Sequence, residues 1–285
     1  MASSLWCLPS GAAGLLRRPA GAFSLVCCVS KPDVFQKCLV DSLYATNEDL
    51  DIEIIPIYNY GNNYSASIAL NLGIDVAKSN KVILAHQDVS FTKEFFNNLS
   101  NIDKCDDWAI IGTAGIDLKY GKNDIGRWGG ALNVDTVAVG TIYDTDEAYV
   151  DGKPFWCGSC DIAEVHSVDE CLFVLNKESS IRFDDSFNGF HFYGADICLE
   201  ARNNGYKVYV FDLPIIHYGQ FSSSLQSENG YWKYLNMLHD KWNLIFPEMY
   251  GTHMHWNDGE VISYISSNLY SNDTNITIVY SGHES

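Results

Sequence analysis

The first third of the chain after residue 22 alternates between short apolar runs and longer segments with a helical period. The apolar runs predict buried strands over residues 23–30, 52–58 and 81–89. In the segments between them, apolar residues recur at every fourth position, as on one face of a helix; these are Phe35, Leu39 and Leu43, then Ile68, Leu72 and Val76. Three strands separated by two helices predict a parallel, doubly wound sheet with right-handed crossovers.

The pattern becomes less regular beyond residue 100. A helix that ends at Gly205 is predicted over residues 195–203, and further strands over 108–112, 169–175 and 207–211. Residues 229–251 are strongly aromatic and carry large apolar side chains at three- and four-residue spacing, which predicts a further helix packed on the sheet. The tail from Asn272 is expected to form an edge strand or to remain loose.

These patterns divide the chain into three parts. Residues 1–22 form a leader-like tail, residues 23–225 an α/β domain, and residues 226–285 a helical segment that packs on the domain or closes over it. The tail has no acidic residue and contains Arg17 and Arg18, as is typical of an organellar presequence and also of an expression leader. No stretch approaches about 18 uninterrupted apolar residues, so we expect no transmembrane segment.

The charge of the chain limits its possible partners. The formal net charge is -18, with 36 acidic against 18 basic residues. No stripe of lysine and arginine follows residue 18, which argues against nucleic acid as a partner. A diphosphate would also be repelled unless a cation mediates, since two unit charges about 4 Å apart interact by about 4 kcal/mol at an effective dielectric near 20.

The cysteines indicate the compartment. There are nine, an odd number without disulfide-framework spacing. Cys157 and Cys160 form a CxxC pair, but no second ligand pair accompanies it. Reduced thiols predict an intracellular, cytoplasmic location, while the leader-like tail leaves organellar import open.

Three short motifs carry candidate chemistry. His86-Gln87-Asp88 follows a buried strand, where open α/β sheets bind ligands. Asp196 falls in the first turn of the helix that follows an aromatic run, residues 190–193, which would desolvate its carboxylate and make it more basic. His217 follows an apolar run, and imidazole is a common metal ligand. Each also has a simpler interpretation: Asp88 as a turn cap, Asp196 as a partner of the helix dipole, and His217 as a satisfied core or edge residue.

Taken in this order, the motifs resemble those of family 2 nucleotide-sugar glycosyltransferases with the GT-A fold, especially the subgroup whose metal motif reads HQDV. The resemblance covers about residues 23–220. It depends on NYSASIALNLGIDVAKSNKVILAHQDV, residues 63–89, and FYGADICLEARNNGYKVYVFDLPIIHYG, residues 192–219. It implies a Rossmann-like, mostly parallel central sheet flanked by helices, with the helical and aromatic C-terminal segment as an appendage.

The resemblance also implies roles for particular residues. Asp88 would bind the Mn²⁺ or Mg²⁺ that bridges the diphosphate of a nucleotide-sugar donor, with His217 completing the metal site and Asp196 acting as general base. Other residues would face the two substrates: His86 and Asn71 the donor, and Trp128, Gly129 and Asp169 the acceptor. His86 replaces the first carboxylate of the usual Asp-x-Asp motif, and Tyr58-Asn59 replaces the acidic residue often used for uracil recognition.

The implied activity is transfer of a sugar to a hydroxyl of a glycan or glycoconjugate, as in polysaccharide biosynthesis. A single base without a carboxylate nucleophile favours inversion at the anomeric carbon. Two alternatives remain open: a non-catalytic nucleotide-sugar-binding protein, and a metal-dependent hydrolase of phosphoesters or diphosphates. The donor sugar, its base, the acceptor, the linkage and the oligomeric state are not determined by the sequence.

Overall fold

A computed structural model of the chain describes the residues in eight ranges: 22–46, 51–119, 138–158, 162–219, 228–252, 254–257, 260–263 and 278–280. Nearly all of the leader-like tail, and the expected acceptor residues Trp128 and Gly129, lie outside these ranges.

The amino-terminal half of the fold is built as the periodicity predicts. Strand β1 (Phe23–Val29) pairs in parallel with both β2 (Ile52–Tyr58) and β3 (Lys81–Ala85). The first crossover contains α1 (Pro32–Phe35), a π-helical turn over Gln36–Val40 and α2 (Asp41–Thr46), and the second contains α3 (Ala66–Val76). Ser65 caps α3, because its side chain accepts a hydrogen bond from the Ile68 amide.

The remaining elements continue the sheet and cover it. The strands are β4 (Val89–Phe91), β5 (Trp108–Gly112), β6 (Ala114–Asp117), β7 (Ala138–Tyr143), β8 (Trp156–Cys157), β9 (Ala163–Val168), β10 (Leu172–Asn176), β11 (Lys207–Val210) and β12 (Ile215–His217). The helices are α4 (Lys93–Leu99), α5 (Asp146–Asp151), α6 (Tyr193–Asn203) and α7 (Glu228–Trp242), with 3₁₀ turns at Ile102–Lys104 and Lys177–Ser179.

The central sheet has the order β2-β1-β3-β10-β5-β11-β9-β6-β7-β12-β4, with β8 beside β7. Parallel pairing joins β1 to its two neighbours, β5 to β11, and β7 to β12, while the other pairs run antiparallel. Core clusters cover both faces. One contains Val26 and Leu84 with α3, α6 and α7; the other contains Leu25 and Ile83 with the first helices and α4. The predicted α/β fold with a central sheet flanked by helices is confirmed.

Two predicted strands are shorter than expected. The strand expected over 81–89 ends at Ala85; His86–Asp88 form a turn, and the chain resumes as β4, which pairs with β12 instead. The strand expected over 169–175 begins at Leu172, because residues 169–171 form the turn from β9 to β10. Both turns lie at the same edge of the sheet, since the His86 amide donates a hydrogen bond to the Cys171 carbonyl.

The C-terminal segment is only partly helical. Helix α7 covers the first part of the segment predicted as helical, residues 229–251, and ends at Trp242. A four-stranded antiparallel sheet follows, composed of β13 (Glu248–Tyr250), β14 (Met254–Asn257), β15 (Glu260–Ser263) and β16 (Ile278–Tyr280). Its strand β13 lies against β9 of the main sheet. No helix in the described ranges is both long and apolar enough to cross a bilayer.

Helix α3 approaches β1 most closely at Gly73, where an added Cβ would lie 2.1 Å from Val26 Cγ1. We expect Gly73→Ala to destabilise the protein by about 1–3 kcal/mol, because a packed core does not absorb an extra methyl group. Val26→Ala in the same chain should recover part of this loss, and Gly219→Ala, at a position with open space around it, should be nearly neutral. Urea unfolding would measure these three variants and Val26→Ala alone; strictly additive losses at Gly73 and Val26 would contradict the close contact.

Candidate functional site

The candidate site lies where β1 and β3 end, at the sheet edge that α/β proteins use for ligands. The turn His86–Asp88 follows β3, and antiparallel pairing of β4 with β12 sets His217 opposite Val89. The Tyr218 amide also donates to the Asp88 carbonyl at 2.9 Å. This pairing brings His217 beside Asp88, although the two are far apart in sequence.

His86, Asp88 and His217 form a compact cluster. One potential ligand atom from each lies within 4.8 Å of those of the other two. His217 Nε2 is 3.5 Å from Asp88 Oδ1, and the two imidazole rings are 5.4 Å apart between centroids. Asp88 is 4% exposed. Within the described ranges this is the one group of three such side chains close enough to share a metal ion.

The electrostatics of the cluster suit cation binding. Burial opposes the ionised form of Asp88, yet the interaction with His217, whose Nε2 is 3.5 Å from Asp88 Oδ1, outweighs it, and the pKa of Asp88 lies below its usual value. Burial, followed by the neighbouring His217, lowers the pKa of His86 to about 4. At neutral pH the cluster therefore presents a carboxylate and a neutral His86 imidazole, the forms that bind metals.

Two further side chains hold the cluster in place. The Tyr193 hydroxyl, at the start of α6, is 2.7 Å from His86 Nε2, a contact of the kind that orients metal-binding imidazoles. Gln87 Oε1 accepts the amides of Ser30 and Lys31 at 3.0 and 2.8 Å, and Gln87 Nε2 donates to Ser30 Oγ at 3.0 Å. The middle residue of the motif thus fixes the loop after β1, a role that its sequence position does not indicate.

An open cleft of about 150 Å³ adjoins the cluster. It is bounded by the end of β1, the start of α3, the turn after β3, the turn between β9 and β10, and the start of α6. Its polar and aromatic lining includes Lys31, Asn62, His86, Gln87, Asp88, Glu170, Phe190 and Tyr193.

Asn71 lies outside this lining. Its side-chain amide donates to the Phe183 carbonyl and to Asp185 Oδ1, and its Oδ1 accepts the Phe183 amide at 3.0 Å. These bonds tie α3 to the segment before α6. The described contacts of Asn71 are therefore structural, and its donor-facing role stays a prediction.

Asp196 is 1% exposed and points toward α7. Its carboxylate is 2.8 Å from Lys241 Nζ and accepts a 2.7 Å hydrogen bond from Trp242 Nε1. Burial raises the pKa of Asp196, against the lowering effect of Lys241 and Trp242. The expected environment, buried and with a raised pKa, is present. Asp196 is not among the described residues that line the cleft, however. Its ion pair with Lys241 also holds the carboxylate in place, which opposes a role as general base.

The turn between β9 and β10 carries two carboxylates. Asp169, expected to face the acceptor, accepts hydrogen bonds from the Cys171 amide and from Thr252 Oγ1, so it anchors the turn and the C-terminal segment. Glu170 lines the cleft, and its Oε2 accepts the Gly194 amide at 3.2 Å. Sequence reasoning missed Glu170 because it treated this turn as the beginning of a strand.

The fold and the site define an α/β protein with an open cleft at its sheet edge and, beside it, three side chains that could hold a divalent metal. Residues 24–238, well over half of the chain, match the sequence model described as "Glycosyltransferase like family". The chain therefore belongs to this family, which confirms the glycosyltransferase resemblance. Its place in the subgroup with the HQDV motif stays a prediction.

Individual relatives are distant. The chain is 24% identical over 148 residues to "ATP synthase subunits region ORF 6" of Fuscovulum blasticum, a match that covers 50% of this chain and 53% of that protein. Thus only about half of the length of this curated relative is matched.

Two solved structures show a weak overall similarity. One is a mannosyltransferase, PcManGT from Pyrobaculum calidifontis in complex with GDP-Man and Mn²⁺, with a TM-score of 0.44, 8% identity, and coverage of 72% of this chain and 59% of that one. The other is A197 from STIV, with a TM-score of 0.37, 14% identity, and coverage of 67% and 82%.

Proposed function

We propose that this protein is a metal-dependent glycosyltransferase that moves a sugar from a nucleotide-sugar to a hydroxyl group of a glycan or glycoconjugate. The observation that carries the proposal is the cluster of His86, Asp88 and His217 at the edge of an open cleft, in a chain that belongs to a glycosyltransferase family.

The cluster fits a divalent cation. His217 Nε2 is buried and lacks a hydrogen-bond partner in the described part of the protein, and Asp88 Oδ1 is at the limit of hydrogen-bond distance from it. A buried polar atom without a partner is costly, and a shared cation would remove that cost. Two imidazoles and one carboxylate suit a transition ion such as Mn²⁺ better than Mg²⁺, which favours oxygen ligands.

The chain's own residues would supply binding and positioning. A bound cation would act as a Lewis acid that stabilises charge on the departing nucleoside diphosphate. Lys31, held at the cleft through its backbone contact with Gln87, adds a positive side chain to the lining. Phe190 and Tyr193 line the cleft and would exclude water from one side of the sugar. We also propose that the configuration at the anomeric carbon is inverted. A direct displacement by a hydroxyl group needs one base and no covalent intermediate.

Binding is the first test of this function. We expect UDP or GDP to bind in the presence of Mn²⁺ and to raise the Tm, since a hundredfold excess over Kd stabilises a protein by about 2.7 kcal/mol, roughly 5–10 °C at this chain length. Mg²⁺ should give a smaller shift, and EDTA should remove it. Differential scanning calorimetry measures both effects.

Turnover is the second part of the test. A panel of UDP- and GDP-sugars with Mn²⁺, with and without simple glycoside acceptors, should show nucleoside diphosphate release and a glycosylated product. Metal-dependent binding without release would indicate the non-catalytic alternative. Release of nucleoside monophosphate and a sugar phosphate would indicate a diphosphate hydrolase.

A further inference from the structure

The described lining of the cleft contains few groups that could accept the proton of the attacking hydroxyl. Glycosyl transfer to a hydroxyl needs a base that lies in the cleft and can reach the attacking oxygen. Among the described lining residues two are carboxylates, Asp88 and Glu170. Asp88 belongs to the candidate metal cluster, which leaves Glu170 as the other carboxylate of the described lining.

The fold makes a specific place for Glu170. Its Oε2 accepts the amide of Gly194, in the first turn of the 11-residue helix α6. A Cβ at position 194 would lie 2.6 Å from the Glu170 Cβ and 3.3 Å from its Oε2. Glycine at this position therefore lets the Glu170 side chain lie over the helix end. The partial positive charge of a helix N-terminus favours the ionised carboxylate, which is the form able to accept a proton.

The two neighbouring carboxylates are held by other parts of the protein. Asp169 has one oxygen bonded to the Cys171 amide and the other to Thr252. Asp196 has one oxygen 2.7 Å from Trp242 Nε1, and both oxygens lie within 3.1 Å of Lys241 Nζ. Neither is part of the described cleft lining. A proton taken up by Asp196 would also weaken a buried ion pair, which opposes its use as a base.

We propose that Glu170, rather than Asp196, is the general base of the transfer; this inference rests on the proposed function. As the acceptor oxygen forms its bond to the anomeric carbon, the bond from that carbon to the diphosphate oxygen breaks. Its electron pair leaves with the nucleoside diphosphate, and the hydroxyl proton passes to the Glu170 carboxylate. With water as acceptor the same step releases free sugar, so hydrolysis of the donor reports on the same base.

Glu170→Gln tests the inference with an isosteric side chain that cannot accept the proton. We expect nucleoside diphosphate release from the nucleotide-sugar that the wild-type chain uses to fall about 10²–10⁴-fold, while the Kd for UDP or GDP with Mn²⁺ stays within about threefold. Asp196→Asn is the comparison: it should lower the Tm, and the folded fraction should retain most of its turnover.

A relocated carboxylate provides a second measurement. Glu170→Gly removes the whole side chain, including the Cβ that would lie 2.6 Å from a Cβ at position 194, so Gly194→Asp added to it would return a carboxylate to the same region from the helix. The double variant should release nucleoside diphosphate at least about tenfold faster than Glu170→Gly alone, a recovery that loss of a merely structural contact would not give.

The outcomes separate this inference from the function on which it rests. A wild-type chain that releases no nucleoside diphosphate from any donor overturns both. Wild-type turnover together with a fully active Glu170→Gln, or with an inactive but well-folded Asp196→Asn that binds Mn²⁺ and nucleotide normally, overturns the assignment of Glu170 alone. If Glu170→Gln does not fold, the rates of Glu170→Gly and of the double variant decide: faster release by the double variant supports Glu170, and equal release overturns it.

Discussion

Asp88→Asn is expected to reduce metal-dependent turnover by about 10³-fold, the largest effect on activity of any single substitution in the candidate metal cluster. A catalytic cation contributes several kcal/mol to transition-state stabilisation, and about 1.4 kcal/mol corresponds to each factor of ten in rate. Asp88 is the sole carboxylate of the cluster with His86 and His217. Its loss removes the negative charge that would hold a cation, while the amide keeps the shape of the side chain.

The measurement is Mn²⁺ binding by electron paramagnetic resonance, followed by donor turnover. We expect weaker Mn²⁺ binding and loss of the Mn²⁺-dependent Tm shift with UDP or GDP. Asp75→Asn is the matched control, because Asp75 is an exposed carboxylate paired with Arg182 on the surface. An Asp88→Asn protein that binds Mn²⁺ and turns over the donor like the wild type would show that the cluster is not a metal site.

The sequence predicted β1 and β3 because each is a largely continuous apolar run, and runs of that kind follow from burial on both faces. β2 shows a similar run interrupted by Glu53, and it is a half-buried strand at the edge of the sheet. The sequence also identified Asp88 and His217 through the motifs that contain them. Their contact could not be read from local pattern, because it depends on the pairing of β4 with β12, which sets His217 opposite Val89. Strand pairing between distant segments leaves no periodic signal in either segment.

The surroundings of Asp196 and Glu170 were harder to predict for the same reason. The aromatic residues before α6 indicated a buried carboxylate at Asp196, and its burial is observed, but its partners Lys241 and Trp242 are 45 and 46 residues away. The sequence did contain a signal at Trp242, because a buried tryptophan needs an acceptor for its N–H. Glu170 could be recognised only once the strand was known to begin at Leu172.

The C-terminal sheet shows a different kind of omission. The aromatic spacing of residues 229–251 predicted α7, but it did not predict the strands β13, β14 and β15 that follow this helix. β14 ends at Asn257 and β15 begins at Glu260, with Asp258-Gly259 between them in the sequence. An Asp-Gly pair between short runs that contain apolar residues is a strong hairpin signal, so these two strands could have been predicted.

Lys241→Met is expected to have the largest effect on stability, lowering the free energy of unfolding by about 3 kcal/mol near pH 7. Lys241 lies between two carboxylates, 2.8 Å from Asp184 and 2.8 Å from the buried Asp196. Removing one partner of a buried ion pair leaves an uncompensated charge, which costs about 3–5 kcal/mol; the lower figure applies because Lys241 is partly exposed. Lys233→Met, at an exposed position on the same helix, should be nearly neutral.

The pH dependence of that loss tests its cause. Burial already raises the pKa of Asp196, and Lys241 lowers it, so removal of Lys241 should raise it further. A carboxyl group whose folded pKa lies above its unfolded value costs stability while it is ionised and ceases to do so once protonated. The deficit of Lys241→Met should therefore shrink as the pH falls from about 7 toward about 5, and Asp196→Asn in the same chain should remove much of it at pH 7. Urea unfolding at both pH values measures this; a deficit that is independent of pH and of Asp196 would mean that the lysine acts through the packing of its methylene groups instead.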